Sequence, residues 1–429
     1  MIHLRSFEVP TVVKHAPGAI ACLADEVKAL GSQRPMLVTD KGLVNIGLVD
    51  KATKALKAGN VDYVLFDGVV PNPGIKLVDD AAEMYKAEGC DGLIGFGGGS
   101  SMDTAKSIGV VAVHGGSILD FEWADPQPIV QRIPPLVCVP TTSGTGSEMT
   151  LWAVITDPAR KIKYNVGGTG LIAAHVALID PRLTLGLPPH ITAGTGIDAL
   201  THAIECYTCA YAQPWPDSVA LWAIETIGQW LRVAYAQGAN EEARYKMAMA
   251  AMLAGMSYGT ESAGAVHAMS QTAGGVYNLP HGELTAALLP PVMAYNYMGE
   301  PHKYARIAQA MGENTWGLTV WEGAMAAAAT PRSSSRPSLS MSAICHNPVR
   351  TREMPKPSAS SQRSTTVLIV HPFPCQIRSP TPARRACTGS AATLTRQATG
   401  SPMHLLCNRK PLLSNSGNRR QQFSTWRTR

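Results

Sequence analysis

GFGGGSSMDTAK, residues 95–106, decides the fold of this chain. The segment follows a short apolar run typical of a buried strand and opens a helical pattern, so it predicts a tight strand-to-helix turn. Consecutive glycines let a backbone approach a pyrophosphate closely, and the N-terminus of the helix offers free N–H groups and positive dipole charge. Ser100 or Ser101 can cap that helix. Because Ser100 stands at the sixth position, the ordinary GxGxxG fingerprint is absent, and a glycine-rich turn without a ligand is the alternative interpretation.

The first half of the chain alternates strand and helix signals around this turn. Such alternation predicts a parallel sheet covered by helices, and short, continuously apolar strands indicate burial on both faces. We therefore predict an α/β class fold with an N-terminal, Rossmann-like, dinucleotide-binding domain over residues 1–187. The predicted strands are PMLVTD (35–40), YVLFDGVV (63–70), GLIGFGG (92–98), PLVCVPTT (135–142) and VALID (176–180).

A second loop, TTSGTGSE at residues 141–148, also follows a strand directly. Its hydroxyls and glycines suit contacts with phosphate, ribose or nicotinamide, whereas a polar turn is the plain alternative. Two such loops at the carboxyl ends of parallel strands favour a ligand at that edge of the sheet. Asp40 ends the strand 35–40 and could accept a ribose hydroxyl, which would favour NAD over NADP; capping of a helix is the alternative role.

The pattern changes near residue 187, where GLPPHITAG (186–194) breaks the chain. From there to about residue 323 the sequence indicates one helix after another, rich in Ala and Met. We predict that residues 188–323 form an all-helical, metal-binding domain.

Four residues in this helical part form a candidate metal site. Asp198 and His202 in GIDALTHAIE are four residues apart, which places both side chains on one helical face. His267 lies in another helical stretch, and His281 follows in a turn marked by Pro and Gly. One carboxylate and three imidazoles suit a divalent transition metal such as iron or zinc, with a position left for a substrate oxygen. Each residue alone is more commonly structural, since a single buried His is usually a satisfied core residue.

The C-terminal part has a different composition from the rest. Residues 331–429 contain 16 Lys and Arg but one acid, Glu353, whereas residues 1–330 contain 21 basic and 30 acidic residues. Hydrophobic periodicity fades after Gly323, so we predict that residues 324–429 form an atypical, basic, disordered tail. A shifted reading frame in a GC-rich gene is our preferred explanation of its Ser, Pro and Arg. Plain disorder and a nucleic-acid-binding arm are the alternatives, and we do not expect a nucleic-acid partner.

Location is indicated by three weaker features. No apolar run reaches the roughly 20 residues of a membrane span, and the first residues have no export signal. The odd number of scattered cysteines, nine, is typical of reduced thiols. These features predict a cytoplasmic protein without a membrane partner.

Together, the motifs GGGSxxD, TTxGTGSE and DAxxHxxE, with a His 14 residues ahead of PHG, resemble the iron-dependent, or group III, alcohol dehydrogenases over residues 5–323. The resemblance implies NAD, Fe²⁺ or Zn²⁺ or another divalent cation, a small primary alcohol, diol or aldehyde as substrate, and a homo-oligomer. It implies that a metal is held by Asp198, His202, His267 and His281. It places the nucleotide on Asp40, Asn72, Gly97, Gly98, Gly99, Ser100, Asp103, Thr141, Thr142, Thr145 and Lys163.

Two departures from the family pattern bear on activity. Many relatives have a further His where this chain has Gln271, which can orient water or substrate but does not shuttle protons near neutral pH. The atypical tail also replaces helices that close the cleft in the family. A catalytically impaired, frameshifted member of the family is therefore one alternative. A sugar-phosphate cyclase-type lyase is the other, and it is disfavoured because residues 247–302 contain no Lys or Arg for a substrate phosphate.

Overall fold

Six parallel strands form the central sheet of the N-terminal half. The structure, a computed structural model, describes residues 6–258 and 264–330. Two further strands pair as an antiparallel hairpin beside the sheet. In chain order the strands are β1 (Val12–His15), β2 (Pro35–Asp40), β3 (Val64–Val69), β4 (Gly92–Gly97), β5 (Leu136–Pro140), the hairpin strands β6 (Trp152–Asp157) and β7 (Ile162–Gly167), and β8 (Val176–Ile179).

Twelve α-helices appear among the described residues, five in the first half and seven in the second. The first five are α1 (Leu23–Ala29), α2 (Lys41–Asn45), α3 (Val49–Ala58), α4 (Ile75–Ala87) and α5 (Gly99–His114). The others are α6 (Pro189–Thr208), α7 (Pro214–Ala236), α8 (Glu241–Tyr258), α9 (Ala265–Tyr277), α10 (His281–Asn296), α11 (Pro301–Ala310) and α12 (Val320–Ala329).

The order of the strands locates the ligand-binding edge of the sheet. Across the sheet the order is β1-β8-β5-β4-β2-β3, with every neighbouring pair parallel. The chain moves from β2 outward to β3 and then returns to the other side of β2 with β4. This reversal makes the topological switch point of a doubly wound sheet, where ligands bind beyond the carboxyl ends of the strands. Asp40 ends β2 there and Gly97 ends β4, as the predicted Rossmann-like fold requires.

Successive side chains of the central strands belong to two separate hydrophobic cores, because adjacent residues of a strand point to opposite faces of the sheet. Leu93 of β4 packs with Ala105 of α5 and Ala82 of α4 on one face. Ile94, the next residue, packs with Leu23 and Leu56 from α1 and α3 on the other. Burial on both faces explains why these strands are continuously apolar in the sequence.

The hairpin β6–β7 was not predicted from the sequence. β7, with the sequence IKYNVG, alternates apolar and polar residues, so it lacks the continuous apolar run that identifies the central strands. β6 does contain such a run, at residues 152–155, although its burial alternates between partial and full. The turn between them includes Lys161 in the left-handed conformation, with φ of 56°. β6 packs against α5 and β7 against α9, so the hairpin connects the two halves of the chain.

The second half is entirely helical within the described residues, as predicted. It begins at Pro189, and its core is a cluster rich in Ala, Ile and Leu from α6 to α12. The predicted boundary at residue 323 falls within α12, which continues to Ala329. Residues 331–429, the remainder of the predicted tail, lie outside the described residues. No described helix is long and apolar enough to cross a membrane.

Candidate metal centre and nucleotide cleft

Three helices contribute the four candidate metal ligands. Asp198 and His202 lie one turn apart on α6, and both are buried. His267 is a buried residue in the first turn of α9. The prediction that His281 lies in a turn is wrong, because this residue is the first of α10 and directly follows its N-cap, Pro280. Pro280 has a φ of −61° and a ψ of 127° at the N-cap, a position where its missing N–H costs the helix no internal hydrogen bond.

The side chains of Asp198, His267 and His281 converge. Oδ1 of Asp198 lies 3.7 Å from Nε2 of His267 and 3.3 Å from Nε2 of His281. One ligand atom from each of these three residues lies within 4.8 Å of the others. His202 stands beside this group, with Nδ1 3.9 Å from Oδ2 of Asp198 and its ring centroid 4.3 Å from that of His267.

The hydrogen bonding of this group fits a cation. Within the described residues, Oδ1 of Asp198, Nδ1 of His202 and Nε2 of His267 are buried and have no hydrogen-bond partner. Buried polar atoms are normally satisfied, and those that are not call for an ion, a water or a functional role. A carboxylate oxygen and imidazole nitrogens that face one another match the ligands of Fe²⁺ and Zn²⁺. The residues present therefore fit a divalent transition metal.

Burial and neighbouring groups together determine the pKa values of the residues in this centre. Burial lowers the pKa of His202 to about 3, so this imidazole is neutral and has a lone pair to offer a metal. Burial opposes ionisation of Asp198, but the interactions with His202 and His281 hold the pKa of its carboxyl well below the usual value. Burial also acts against a charge on His267, yet the neighbouring carboxylates of Asp198 and Glu205 raise its pKa to about 9.

Glu205 orients His267 from outside the ligand group. Its Oε2 accepts a hydrogen bond from Nδ1 of His267 at 2.5 Å, which directs Nε2 toward Asp198. Its Oε1 accepts from the backbone N–H of Val266 at 2.7 Å, so the same carboxylate also binds the first turn of α9. A carboxylate behind a histidine ligand fixes the tautomer and increases the basicity of the ring. The sequence signal for this role is the His-x-x-Glu spacing from His202, one helical turn.

The nucleotide side of the cleft is built where α5 begins. Gly98 is the N-cap of α5, and no described side chain caps this end, so the prediction that Ser100 or Ser101 caps it is wrong. The second loop packs closely on the first. The backbone N–H of Thr141 donates to the carbonyl of Gly97 at 2.9 Å, and a Cβ on Gly99 would lie 2.8 Å from the side chain of Thr145. Uncapped N–H groups at a helix N-terminus suit a phosphate.

A buried lysine that the sequence analysis did not identify fixes the second loop. Nζ of Lys106 is fully buried and donates to the carbonyls of Ser147, Thr150 and Trp152 at 2.6, 2.8 and 2.9 Å. Burial lowers the pKa of Lys106, and the carboxylate of Asp103 partly offsets this effect. The only sequence signal for Lys106 is its position one turn after Asp103 on α5.

Asp103 completes this network. Its carboxylate accepts from the hydroxyl of Ser147 at 2.5 Å and from the backbone N–H of Val154 at 3.0 Å. Helix α5, the second loop and the hairpin are therefore joined at one carboxylate.

One cleft contains most of the predicted site residues from both halves. From the nucleotide set it is lined by Asn72, Gly99, Ser100, Asp103, Thr145 and Lys163, and from the metal set by Asp198, His202, His267 and His281, with Gln271. Burial lowers the pKa of Lys163, which the carboxylates of Asp198 and Asp103 partly oppose. Trp152 and Tyr258 also line the cleft, and neither was singled out from the sequence.

The remaining nucleotide residues lie outside the lining of this cleft. They are Asp40, Gly97, Gly98, Thr141 and Thr142. The carboxylate of Asp40 accepts from the backbone N–H of Leu43 at 3.0 Å and so caps α2. Its contact with a ribose stays a prediction, although it ends β2 at the switch point of the sheet.

Comparison with known protein families covers both halves of the chain. Residues 10–181 match the family model described as iron-containing alcohol dehydrogenase. Residues 192–332 match the model described as Fe-containing alcohol dehydrogenase family, C-terminal. The chain belongs to the iron-containing alcohol dehydrogenase family. The predicted family, fold class and enzyme class, an oxidoreductase, are confirmed by these matches.

Three similar proteins illustrate the range of this alcohol dehydrogenase family. The choline dehydrogenase of Bacillus subtilis (strain 168) is 55% identical over 327 residues, which cover 76% of this chain and 81% of that protein. The NAD-dependent methanol dehydrogenase of Bacillus methanolicus is 38% identical over 316 residues, 74% of this chain and 82% of that protein. The crystal structure of a 1,3-propanediol oxidoreductase superimposes on this chain with a TM-score of 0.73 and a sequence identity of 40%. The matched part covers 76% of this chain and 85% of that one. None of these three is a sugar-phosphate cyclase.

Proposed function

We propose that this alcohol dehydrogenase transfers a hydride between NAD and a small primary alcohol, diol or aldehyde. One observation carries the proposal: the uncapped start of α5 at Gly99 and Ser100 and the ligand group around Asp198 line the same cleft. A dinucleotide on the first and a substrate at the second would meet between the two halves of the chain. The NAD-dependent methanol dehydrogenase supports the choice of cofactor.

Different residues of the cleft would contact the nucleotide, the metal and the substrate. The start of α5 binds the pyrophosphate through backbone N–H groups, and Asn72, Thr145 and Lys163 supply hydrogen bonds along the rest of the nucleotide. Asp198, His202, His267 and His281 would hold a divalent cation, iron in our proposal, which when bound polarises the substrate oxygen as a Lewis acid. Gln271 orients the substrate hydroxyl or a water by hydrogen bonding, since an amide does not accept a proton near neutral pH.

The cleft offers a starting point for the choice of alcohol. Its described lining includes two aromatic side chains, Trp152 and Tyr258. Aromatic faces bind quaternary ammonium groups, and a relative that is 55% identical is a choline dehydrogenase. Choline is therefore the first alcohol to test, followed by 1,3-propanediol, methanol and lactaldehyde.

The test is an NAD(H)-linked assay of the full chain with these substrates and added Fe²⁺ or Zn²⁺, together with metal analysis. We expect His267→Ala to lose retained metal and turnover while NAD binding is kept, because His267 faces Asp198 in the metal group and lies on the other half of the chain from α5. The matched control is His302→Ala, an exposed histidine of α11. Full activity in His267→Ala would contradict the proposal.

The alternative of a catalytically impaired family member gives a different result in the same assay. The unaltered chain would then retain metal and bind NADH but show no turnover with any of the four substrates.

The cellular location and the oligomeric state of the protein stay proposals. The acidic body of the chain and the absence of an apolar membrane-length run support a cytoplasmic location, which fractionation of the producing cells tests. A homo-oligomer is tested by light scattering.

A further inference from the structure

The two halves of the chain meet at three places around the cleft where a glycine lies directly against the main chain or the Cβ of the other half. At each place an added Cβ on the glycine would lie less than 3 Å from an atom of the other half: a main-chain atom in two contacts and the Cβ of Thr195 in the third. We call these three contacts, Gly144 with Thr195, Gly146 with Gly255, and Gly275 with Lys161 and Ile162, the glycine seam. We propose that the glycine seam sets the distance between the nucleotide and the metal centre. The inference rests on the proposed function.

The contact between Gly146 and Gly255 is the closest of the three. A Cβ on Gly255 would lie 2.5 Å from the carbonyl oxygen of Gly146 and 2.6 Å from its Cα. A Cβ on Gly146 would lie 2.5 Å from Cα of Gly255, and Gly146 also has a φ of +59°, which disfavours any other residue. Gly146 belongs to the second nucleotide loop and Gly255 to α8. Because the atoms in contact are main chain, no change of rotamer can make room for a side chain.

The second contact joins the helix of a metal ligand to the hairpin. Gly275 lies on α9, which also carries His267. A Cβ on Gly275 would lie 2.8 Å from the carbonyl oxygen of Lys161 and 2.9 Å from Cα of Ile162. Ile162 begins β7, the strand that carries Lys163 into the cleft.

The third contact joins the other ligand helix to the nucleotide loop. A Cβ on Gly144 would lie 2.7 Å from Cβ of Thr195 and 3.0 Å from its Cα. Thr195 lies on α6, one turn before Asp198. The two helices that carry Asp198, His202 and His267 are thus each located against the cofactor half by a close contact of a glycine, through main chain for α9 and through the Cβ of Thr195 for α6.

This arrangement matters for hydride transfer, because a displacement of about 1 Å between reacting groups can cost about 100-fold in rate. The atoms nearest to an added methyl group on Gly255 or Gly275 belong to Gly146, Lys161 and Ile162, none of which is a proposed ligand of the metal or the nucleotide. Such a methyl group would separate the two halves. Gly255 and Gly275 are positioning residues by this argument. Ala is normally the better residue in a helix, so a purely local role would make their replacement by Ala stabilising.

The experiment compares Gly255→Ala and Gly275→Ala with Gly228→Ala, a helical glycine of α7 whose added Cβ would meet only ordinary contacts, the nearest at 3.4 Å from Met311. For each, we would measure retained metal, NADH affinity, kcat and KM, and the deuterium isotope effect with labelled alcohol. A readout independent of turnover is the relaxation of the nicotinamide protons of bound NADH with Mn²⁺ in the metal centre, which falls steeply with distance.

We expect both seam variants to keep metal and NADH affinity within about twofold, to lose about 100-fold in kcat, and to show a larger isotope effect. The Mn²⁺-induced relaxation should weaken several-fold, while Gly228→Ala matches the unaltered chain. Relaxation and kcat like those of Gly228→Ala in both seam variants would overturn the inference. Loss of both metal and NADH binding in both would also overturn it, because the seam would then support folding rather than distance. If the unaltered chain binds no NADH, the proposed function itself fails.

Discussion

At the scale of single residues, the metal centre depends on groups that do not belong to its ligand set. Glu205 is buried and binds both the ring and the helix of His267, through Nδ1 of the ring and the backbone N–H of Val266. The four candidate ligands are apparent in the sequence because their types and spacing match a metal site. The hydrogen bond between Glu205 and Val266 joins residues that are 61 positions apart in the chain, and it depends on how α6 packs against α9. Sequence spacing alone does not reveal that packing.

We expect Glu205→Gln to lower metal affinity by about 10- to 100-fold, because the neutral amide weakens the orientation and basicity of His267. Equilibrium dialysis against Zn²⁺ or Fe²⁺ measures this change. Glu225→Gln on α7, an exposed glutamate, is the matched control. Equal metal affinity in the two variants would show that the contact with His267 has no effect on the centre.

At the scale of elements, the continuously apolar strands were the most predictable part of the fold. β2, β4 and β5 lie within the predicted segments because burial on both faces leaves an apolar run that is visible in the sequence. The hairpin was missed because β7 alternates apolar and polar residues and because the apolar run of β6 at residues 152–155 was not interpreted as a strand. The start of α10 at His281 was missed because a Pro-Gly context also indicates a turn. The contacts of Lys106 could not be predicted, since they depend on how the loop after β5 folds over α5.

That same loop contains a buried carboxyl group with a consequence for stability. Burial raises the pKa of Glu148 from 4.5 to about 7. The folded chain then binds more protons than the unfolded chain, so the free energy of unfolding falls as pH rises from about 4.5 to about 7. We expect Glu148→Gln to remove this decline and to add on the order of 3 kcal/mol of stability at pH 8.

Urea unfolding of both chains at pH 5 and pH 8 measures the effect. The two curves should lie close together at pH 5 and separate at pH 8, with the variant more stable. Glu83→Gln, at an exposed glutamate of α4, serves as the control. A variant that is less stable at pH 8 would contradict the assignment of a raised pKa to Glu148.

At the scale of the whole molecule, one cleft unites ligands from α6, α9 and α10 with the start of α5. Most of the residues that line this cleft could be predicted, because the family motifs include residues from both halves of the chain. The distances between these residues could not be predicted, because they depend on main-chain contacts such as that between Gly146 and Gly255.

An acidic body and a basic C-terminal part give the chain its net charge of +6, and this value therefore describes neither part.

We expect removal of metal by a chelator to lower the thermal unfolding midpoint and saturating Zn²⁺ to restore it. A ligand that binds only the folded chain stabilises it by about 2.7 kcal/mol at 100 times its dissociation constant. Differential scanning calorimetry with metal analysis of each sample measures the change, and His267→Ala should be insensitive to both treatments. A midpoint that does not move when the metal is removed would show that the ion does not contribute to the stability of the helical half.

The separation of Asp198 and His281 along the chain has a consequence for how the protein acquires its ion. The ligands lie on three helices and span residues 198–281, so a chain emerging from the ribosome has no complete chelating group until α10 has been synthesised and packed. The complete ligand set can therefore select an ion only after residue 281 has been synthesised, from the ions that the cell then supplies. His281 is still about a quarter exposed, at 27%, so exchange with the surroundings remains open. Because intrinsic affinities rank Fe²⁺ below Zn²⁺, the ion recovered from purified protein would reflect the growth medium as much as the sequence.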